Sequence, residues 1–365
     1  MGSMNIAFFG SSLVSAFWNG AATYYRGIIK ALHRRGHRVT FYEPDAYDRQ
    51  RHRDIPDPDW ARVVVYDPAD TGRVERLLEE ASRADLTVKA SGVGVLDAFL
   101  EREVARLAGP GRMVAFWDVD APATLDRLDA DPHDPFHDLI PCYDIVLTYG
   151  GGEPVVTAYR NRGARDCVPI YNALDPETHH PVPREERFTA DLSFLDARFP
   201  VGEFFLEAAK RLHGRRFLLG GNGWGDKPMP PNVGYLGHVY TADHNAFNCS
   251  PRAVLNISRD SMARYGFSPA TRVFEAAGAA ACIVSDTWTG VETFLDPGKE
   301  IILADSGADV ADRLANLDET TARRIGTAAR ARVLAEHTYD HRAELFEEAV
   351  GARDYKRGRV EARSR

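Results

Sequence analysis

Short apolar runs alternate along the chain with apolar residues at helical spacing. Residues 5–9 form an apolar run that ends at Gly10, which is typical of a strand buried in a parallel sheet. Apolar residues then recur at helical spacing from 22 to 32, and Gly36 stands where a glycine ends a helix. Residues 37–42 predict the next strand. This order predicts a βαβ unit, whose right-handed crossover gives a parallel sheet with helices on both faces.

The same alternation continues to the end of the chain, with no internal repeat. Further strands are predicted at 62–66, 86–90, 113–117, 145–148, 191–195, 216–219, 232–238, 253–257, 281–285 and 300–303. Further helices are predicted at 71–82, 95–107, 154–163, 204–212, 241–248, 269–278, 319–336 and 340–350. A chain of 365 residues is long enough for two domains, so the pattern predicts two doubly wound α/β domains.

A proline-rich stretch with little periodicity, 168–187, separates the two sets of elements. The predicted division is a first domain at 1–170, a linker at 171–190, a second domain at 191–338, a closing helix at 339–350 and a basic tail at 351–365. Such a basic tail is typical of a solvated, frayed terminus, and less often of a contact to anionic lipid or phosphate.

Composition excludes several classes of protein. Hydrophobic residues make up 44% of the chain and charged residues 27%, as in soluble globular proteins, which excludes a disordered or collagen-like chain. No apolar run approaches the roughly 18 to 20 residues that span a bilayer, and the net charge of −8 argues against nucleic acid as the main partner. The chain begins with a predicted strand rather than a signal peptide, and its four cysteines are widely spaced, as is typical of free thiols. We therefore expect a cytoplasmic protein.

Parallel sheets bind ligands at the carboxyl ends of their strands, which makes five loops candidates for a site. These loops are 10–20, 117–124, 150–152, 220–224 and 258–268. The chain contains no GxGxxG fingerprint, no GxxxxGK[ST] phosphate loop and no GxSxG or HExxH motif. Asp118 and Asp120 follow a predicted strand and resemble the DxD metal motif of single-domain sugar transferases. Two carboxylates after a strand are more commonly part of a loop or a helix cap.

The second half of the chain carries a more specific pattern. Residues 268–278 predict a helix with Glu275 on its second turn and Gly278 at its end, and a strand follows at 281–285. Together with Arg272, this pattern resembles the donor-binding helix of the two-Rossmann-domain (GT-B) glycosyltransferases. It is closer to the CgeB-like family, which is of the glycosyl transferases group 1 type and is named after bacterial spore-maturation proteins. The resemblance also includes residues 18–20, 116–122, 294–301 and 337–342.

The resemblance implies a GT-B architecture, in which two Rossmann-like doubly wound parallel-sheet domains face each other across a cleft. The first domain would bind the acceptor and the second the nucleotide-sugar donor, with the 339–350 helix crossing back to the first. The implied reaction moves a sugar from a nucleotide-diphosphate donor to a hydroxyl of an unidentified glycan, lipid or small molecule, without a metal or other cofactor. The base, the sugar, the acceptor and the oligomeric state stay open.

The resemblance also implies roles for charged residues of the second domain. Glu275 would accept hydrogen bonds from ribose hydroxyls. The amides from Ser268 to Thr271 would hold the diphosphate at the positive end of the helix dipole. Arg259 and Arg272 would supply the positive charge that a metal provides in other sugar transferases. The alternatives are an exposed helix carboxylate for Glu275 and surface ion pairs for the two arginines.

A glycine-rich loop of the second domain would add further donor contacts. Gly221, Asn222 and Gly223 would let the backbone approach the nucleotide closely, and Trp224 would either stack on the base or pack in the core. One departure from the family follows the first strand of this domain, where the loop is shorter than in relatives. Either Arg198 contacts the phosphates in its place, or the segment has been trimmed.

The first domain supplies the remaining candidates. Asn19 and Gly20 would bring backbone amides near the transferring sugar or the β-phosphate. Asp118 and Asp120 are the candidates for the general base or for acceptor binding, with loop capping as the alternative. Two other functions also stay open: a nucleotide-sugar epimerase on the same scaffold, and a non-catalytic sugar-binding or spore-coat-type structural protein, which the short loop favours.

Overall fold

A computed structural model describes residues 2–196 and 203–363, with side chains described up to residue 351. The chain divides into two compact units. The first unit comprises Met1–Tyr171 together with Tyr339–Arg365, and the second comprises Asn172–Thr338. The residues between 172 and 190, which the proline content predicts as a linker, therefore fall within the second unit.

The described residues of the first unit form a seven-stranded, all-parallel sheet in the order β3-β2-β1-β4-β5-β6-β7. Its strands are β1 Asn5–Phe9, β2 Arg38–Pro44, β3 Arg62–Tyr66, β4 Leu86–Ala90, β5 Met113–Asp118, β6 Ile145–Thr148 and β7 Cys167–Pro169. The central strands β4, β5 and β6 are buried along their whole length, and their residues are apolar apart from Thr87 and Lys89 in β4 and the terminal Asp118 and Thr148. The order reverses between β1 and β4, where open parallel sheets bind ligands.

Helices cover both faces of this sheet, as expected for a doubly wound unit. They are α1 Ala22–Arg34, α2 Thr71–Ala81, α3 Asp97–Ala105, α4 Ala121–Ala130, α5 Phe136–Leu139 and α6 Gly152–Asn161, with 3₁₀ turns at Arg49–His52 and Ile140–Cys142. Local signals set their ends. The Asp70 carboxylate caps α2 by accepting from the Arg73 amide at 2.8 Å, and Gly36 reverses the chain after α1 at a φ of 91°.

The second unit repeats the architecture with a six-stranded, all-parallel sheet among its described residues, in the order β10-β9-β8-β11-β12-β13. Its strands are β8 Leu192–Leu195, β9 Phe217–Gly220, β10 Val233–Gly237, β11 Ala253–Asn256, β12 Ile283–Ser285 and β13 Ile302–Leu303. Its helices are α7 Glu203–Arg211, α8 Thr241–Cys249, α9 Asp260–Tyr265, α10 Thr271–Gly278, α11 Gly307–Asn316 and α12 Glu319–Glu336, with 3₁₀ turns at Glu186–Phe188 and Val291–Thr293. The predicted fold class, two doubly wound parallel α/β domains, is confirmed.

The chain ends in helix α13, Tyr339–Arg363, which packs on α1 of the first unit. The Tyr339 ring occupies the space that a side chain at Gly27 would need, since an added Cβ would lie 2.1 Å from the ring. Phe346 stacks on Trp117 with ring centroids 5.6 Å apart. The helix is longer than predicted, because it continues through residues that the sequence analysis places in a basic tail. None of the described helices is long and apolar enough to cross a membrane.

Charged groups also hold α13 against α1. Glu347 accepts from Arg35 Nη2 at 2.7 Å and lies 2.9 Å from Nε2 of His37. These partners, the Arg35 guanidinium first, lower the pKa of Glu347 from 4.5 to about 2. An acid with a lowered pKa stabilises the fold above its ordinary pKa and loses that contribution as the pH falls through the folded value.

We expect Glu347→Gln to lower the free energy of unfolding by about 1 to 2 kcal/mol at pH 7, since one charged partner of Arg35 is removed. The difference between wild type and variant should shrink as the pH falls from 4.5 through about 2, because below that pH Glu347 is protonated in both states. Urea unfolding at several pH values measures this difference. The exposed neighbour Glu348→Gln is the control, and an equal loss in both variants would contradict the expectation.

Candidate functional site

Loops of the second unit meet at the carboxyl edge of its sheet. Strand β8 lies between β9 and β11, so the loops that follow these three strands are neighbours. Asp196 follows β8, and its amide donates to the carbonyl of Gly220 at the end of β9. Arg259 follows β11, where it is exposed and precedes the first turn of α9. The predicted phosphate ligand Arg198 lies outside the described residues.

Gly221 has to be glycine in this arrangement. Its φ is 111°, and an added Cβ would lie 2.2 Å from the backbone oxygen of Asp196. The loop is closed further by Trp224, whose Nε1–H donates to the same Asp196 oxygen at 2.6 Å. Asn222 is half-buried, and Gly223, with a φ of 86°, is exposed.

Trp224 packs in the core and is not available for stacking on a nucleobase. Its side chain is 1% exposed and belongs to the main apolar cluster of the second unit. A stacking platform needs one exposed ring face, so the stacking prediction for Trp224 is corrected to a packing role. The ring fixes the loop because its N–H bonds to the Asp196 oxygen that lies against Gly221.

Arg272 is placed at the same edge by Asp196. Its Nη2 lies 3.4 Å from Oδ2 of Asp196, and its guanidinium lies over the Phe194 ring at 5.5 Å from the centroid. Asp196 is buried and Arg272 is half-buried. The alternative interpretation of Arg272, a surface ion pair, therefore does not describe this contact. The pair fixes the guanidinium of Arg272, a residue of the first turn of α10.

The first turn of α10 carries no side-chain cap. Ala270 is the N-cap residue, with an extended backbone and no side chain that accepts from the helix. Pro269, predicted at the first helical position, lies before the cap. The segment is fixed by Asn172, whose Nδ2 donates to the carbonyl of Pro269 at 3.2 Å and whose Oδ1 accepts from Thr271 Oγ1 at 3.3 Å. Ser268 is buried, and its hydroxyl donates to the carbonyl of Gly266 at 2.9 Å.

Glu275 lies on the second turn of α10 and is more enclosed than a surface carboxylate. Its side chain is 12% exposed, and its Oε1 lies 3.9 Å from Nε2 of His179. Glu275 is predicted from the sequence, whereas Asn172 and His179 are not. The latter two lie in the stretch predicted as a linker, which folds against α10.

In the first unit, Asp118 at the end of β5 is enclosed by hydrogen-bond donors. Its side chain is 0% exposed. Oδ1 accepts from the Ser91 hydroxyl at 2.7 Å, the Thr124 hydroxyl at 3.0 Å and the Asp120 amide at 3.1 Å, and Oδ2 accepts from the Tyr159 hydroxyl. Burial raises its pKa. Because a general base has to reach the acceptor hydroxyl, the prediction for Asp118 is corrected to a structural role.

Asp120 is half-buried and precedes α4, where its side chain makes no capping hydrogen bond to the helix. Of the two predicted carboxylates, it is the one that reaches solvent. Among the residues with described side chains, Asp118 and Asp120 belong to no group of three side chains able to hold a metal ion. The DxD resemblance therefore gains no support from the geometry.

Asn19 organises its own loop. Its Oδ1 accepts from the Ser11 hydroxyl at 2.9 Å, and its Nδ2 donates to the carbonyls of Ser12 and Ser15 at 2.8 and 2.9 Å. Its backbone amide donates to the carbonyl of Ala16 at 3.1 Å. The predicted contact between this amide and a donor is therefore corrected, since the amide is already used. Gly20 is exposed, just before the first turn of α1.

Two buried charged residues that the sequence analysis misses support the same loop. Glu43, at the end of β2, accepts from the Leu13 amide at 2.6 Å. Arg49 donates to the carbonyls of Ser11 and Trp18, each at 3.3 Å. The loop consequently presents Trp18 with 69% of its surface exposed and a φ of 48°. Glu43 directly follows the predicted apolar strand 37–42, and this position could have indicated a buried charged residue at the end of the strand.

Comparison with known proteins agrees with this architecture. Residues 198–348 match the model of a family described as glycosyl transferase-like. Among solved structures, HepE of Anabaena in complex with UDP and glucose superposes with a TM-score of 0.68 at 14% identity, over 96% of this chain and all of HepE. Both units are included in that match. The chain has the GT-B fold.

Two other solved structures match over a similar length. Sucrose-phosphate synthase of Thermosynechococcus elongatus gives a TM-score of 0.66 at 13% identity, over 95% of this chain and 99% of the synthase. An alpha-glucosyltransferase in complex with UDP-glucose and DNA containing an abasic site gives 0.69 at 12% identity, over 96% of this chain and 100% of that protein. No curated protein sequence matches the chain.

Proposed function

We propose that the chain is a glycosyltransferase that moves a hexosyl group from a nucleotide-diphosphate sugar to a hydroxyl of an acceptor. The proposal is supported by the GT-B fold and by the glycosyl transferase-like match over residues 198–348. HepE, which shares the fold, has been solved in complex with UDP-glucose. The finer, CgeB-like assignment rests on the sequence motifs at 294–301 and 337–342.

The observation that carries the proposal is the arrangement at the start of α10. The helix begins without a side-chain cap, and the carboxylate of Glu275 follows one turn later. Uncapped amides at a helix N-terminus bind phosphate oxygens, and a carboxylate accepts two hydrogen bonds from the adjacent hydroxyls of a ribose. Both groups lie within the segment that matches the glycosyl transferase-like family.

Positive charge at the same edge supports transfer without a metal. The leaving diphosphate gains negative charge as the sugar–phosphate bond breaks, and fixed cations and amide dipoles stabilise it. Arg272, on the first turn of α10, is held by Asp196, and Arg259 is exposed after β11. Together with the first turn of α10, these two guanidinium groups provide the compensation that Mg²⁺ supplies in other sugar transferases.

In the first unit we assign acceptor activation to Asp120, because the buried Asp118 is already occupied by four donors. In this scheme Asp120 takes the proton of the acceptor hydroxyl. The acceptor oxygen forms a bond to the anomeric carbon of the sugar, and the bond from that carbon to the nucleotide diphosphate breaks. The nucleotide diphosphate leaves with the electron pair of that bond.

We expect Glu275→Gln to weaken nucleotide binding by about 10- to 100-fold, because a neutral amide replaces the carboxylate that accepts from both ribose hydroxyls. Calorimetric titration with UDP, GDP, TDP, CDP and ADP, each with and without magnesium, identifies the nucleotide and measures the effect. Glu292→Gln makes the same chemical change at an exposed position of the same unit and should bind like wild type. Equal affinities of wild type and Glu275→Gln would contradict the assigned role.

A further inference from the structure

Three potential metal ligands from separate segments of the second unit lie close together at α10. They are His179, from the segment before β8, His244 on α8, and Glu275 on α10. One ligand atom from each side chain lies within 4.8 Å of the others. Two imidazoles and a carboxylate are therefore close together. Of these three side chains, the proposed function uses only Glu275.

The buried imidazole of His179 has a ring nitrogen without a hydrogen-bond partner among the described residues. The residue is 3% exposed, and its Nε2 has no hydrogen-bond partner within the described part of the chain. A buried polar atom without a partner is costly and rare in folded proteins. An ion bound by Nε2 would satisfy this atom.

One ring nitrogen of His244 has a carbonyl partner. Its Nε2 lies 3.2 Å from the carbonyl oxygen of Val239. A carbonyl only accepts, so Nε2 carries the proton and Nδ1 keeps the lone pair. Metal-binding histidines typically donate their other ring N–H to a carbonyl or carboxylate, which fixes the tautomer and the ring orientation.

The separations suit a small transition-metal ion. Zinc binds histidine nitrogen and carboxylate oxygen at about 2.0 to 2.2 Å, so tetrahedral ligand atoms lie about 3.4 Å apart. Nε2 of His179 and Oε1 of Glu275 are 3.9 Å apart, so a movement of about 0.5 Å brings this pair to the tetrahedral separation, and the ligand atoms of the group all lie within 4.8 Å of one another. Two imidazoles and a single carboxylate suit zinc and its neighbours in the series, whereas magnesium and calcium prefer sites made of oxygen ligands.

We propose that His179, His244 and Glu275 bind a divalent transition-metal ion such as Zn²⁺, with the fourth position left to water. The ion takes no part in sugar transfer. It takes the carboxylate that the ribose would use, so metal and nucleotide compete for Glu275. This last consequence rests on the proposed function, whereas the metal site itself does not.

Titration of the metal-stripped full chain with Co²⁺ tests the site, because four-coordinate Co²⁺ absorbs strongly in the visible. We expect Co²⁺ to bind wild type and Zn²⁺ to displace it. His179→Ala and His244→Ala should each bind Co²⁺ at least about tenfold more weakly. His213→Ala removes an exposed histidine of the same unit and should bind like wild type. Thermal melting of every variant without metal verifies folding.

Nucleotide titrations of the same samples separate this proposal from the proposed function. Saturating nucleotide should weaken Co²⁺ binding to wild type, and the two histidine variants should still bind nucleotide. Equal Co²⁺ affinity in wild type and His179→Ala would overturn the site. Loss of nucleotide affinity in His179→Ala, with no Co²⁺ bound by wild type, would also overturn it and make His179 a positioning residue for Glu275. Failure of every sample to bind nucleotide would count against the proposed function alone.

Discussion

Replacing Asp118 with alanine is expected to lower the free energy of unfolding of the first unit by about 3 to 5 kcal/mol. The carboxylate accepts from three hydroxyls and one backbone amide, and the side chain is fully buried. Alanine removes the acceptor for all four donors and leaves a cavity. Each buried donor that stays unpaired costs about 1 to 3 kcal/mol, reduced where local shifts let it find another partner.

Urea unfolding followed by circular dichroism measures this loss of stability. Two further variants show whether the loss comes from the hydrogen bonds of Asp118. Asp118→Asn keeps the size of the side chain and one acceptor oxygen, so about half of the loss should return. Asp120→Asn changes a half-buried neighbour without a helix-capping hydrogen bond and should alter stability by less than about 0.5 kcal/mol. A similar loss for Asp118→Ala and Asp120→Asn would show that the environment assigned to Asp118 is wrong.

The contrast between these two aspartates shows how far the sequence leads at this edge of the sheet. The apolar run 113–117 is sufficient to predict a buried strand, and hence a carboxyl end with polar side chains after it. It does not distinguish Asp118 from Asp120. The partners of Asp118 come from three other segments, with Tyr159 lying 41 residues further along the chain. Only the folded sheet brings them together.

The fold was predictable because its signal is local. Most residues of the central strands are apolar, so the alternation of periods predicts both sheets except for the short strand β7, which overlaps the proline-rich stretch between the two sets of elements. Helix α11 is missed although its signal is present. Ser306 caps it by accepting from the Asp309 amide, and Val310 and Leu314 follow at helical spacing. A polar N-cap before a short apolar stripe is easily taken for a loop.

The candidate site was predictable in its residue types more than in its geometry. Glu275 follows Phe274 on a helix with a strongly apolar face, and periodicity alone indicates an exposed side chain. It is enclosed because residues 172–190, interpreted as a linker for their prolines, fold against α10 and bring His179 beside it. Trp224 is also more buried than its sequence suggests. Its glycine-rich neighbourhood predicts an open loop, whereas its ring lies in the core.

Gly221→Ala is expected to lower the free energy of unfolding by about 3 kcal/mol and to weaken nucleotide binding at least tenfold. A φ of 111° is unfavourable for alanine, and the added Cβ would overlap the backbone oxygen of Asp196 at 2.2 Å. That oxygen belongs to the residue that accepts from Trp224 and pairs with Arg272. Any shift of Asp196 that relieves the overlap therefore also moves the guanidinium of Arg272 on the first turn of α10.

Gly225→Ala is the matched control for this loop, because its nearest neighbour outside the loop is a ring carbon of Tyr235 at an ordinary 3.8 Å and its φ is not positive. It should leave both stability and nucleotide affinity close to wild type. If Gly221→Ala loses stability while nucleotide affinity is unchanged, the loop is a packing element and Arg272 does not contact the donor. If both are lost together while Gly225→Ala keeps both, the close approach of Gly221 to Asp196 is part of the donor site.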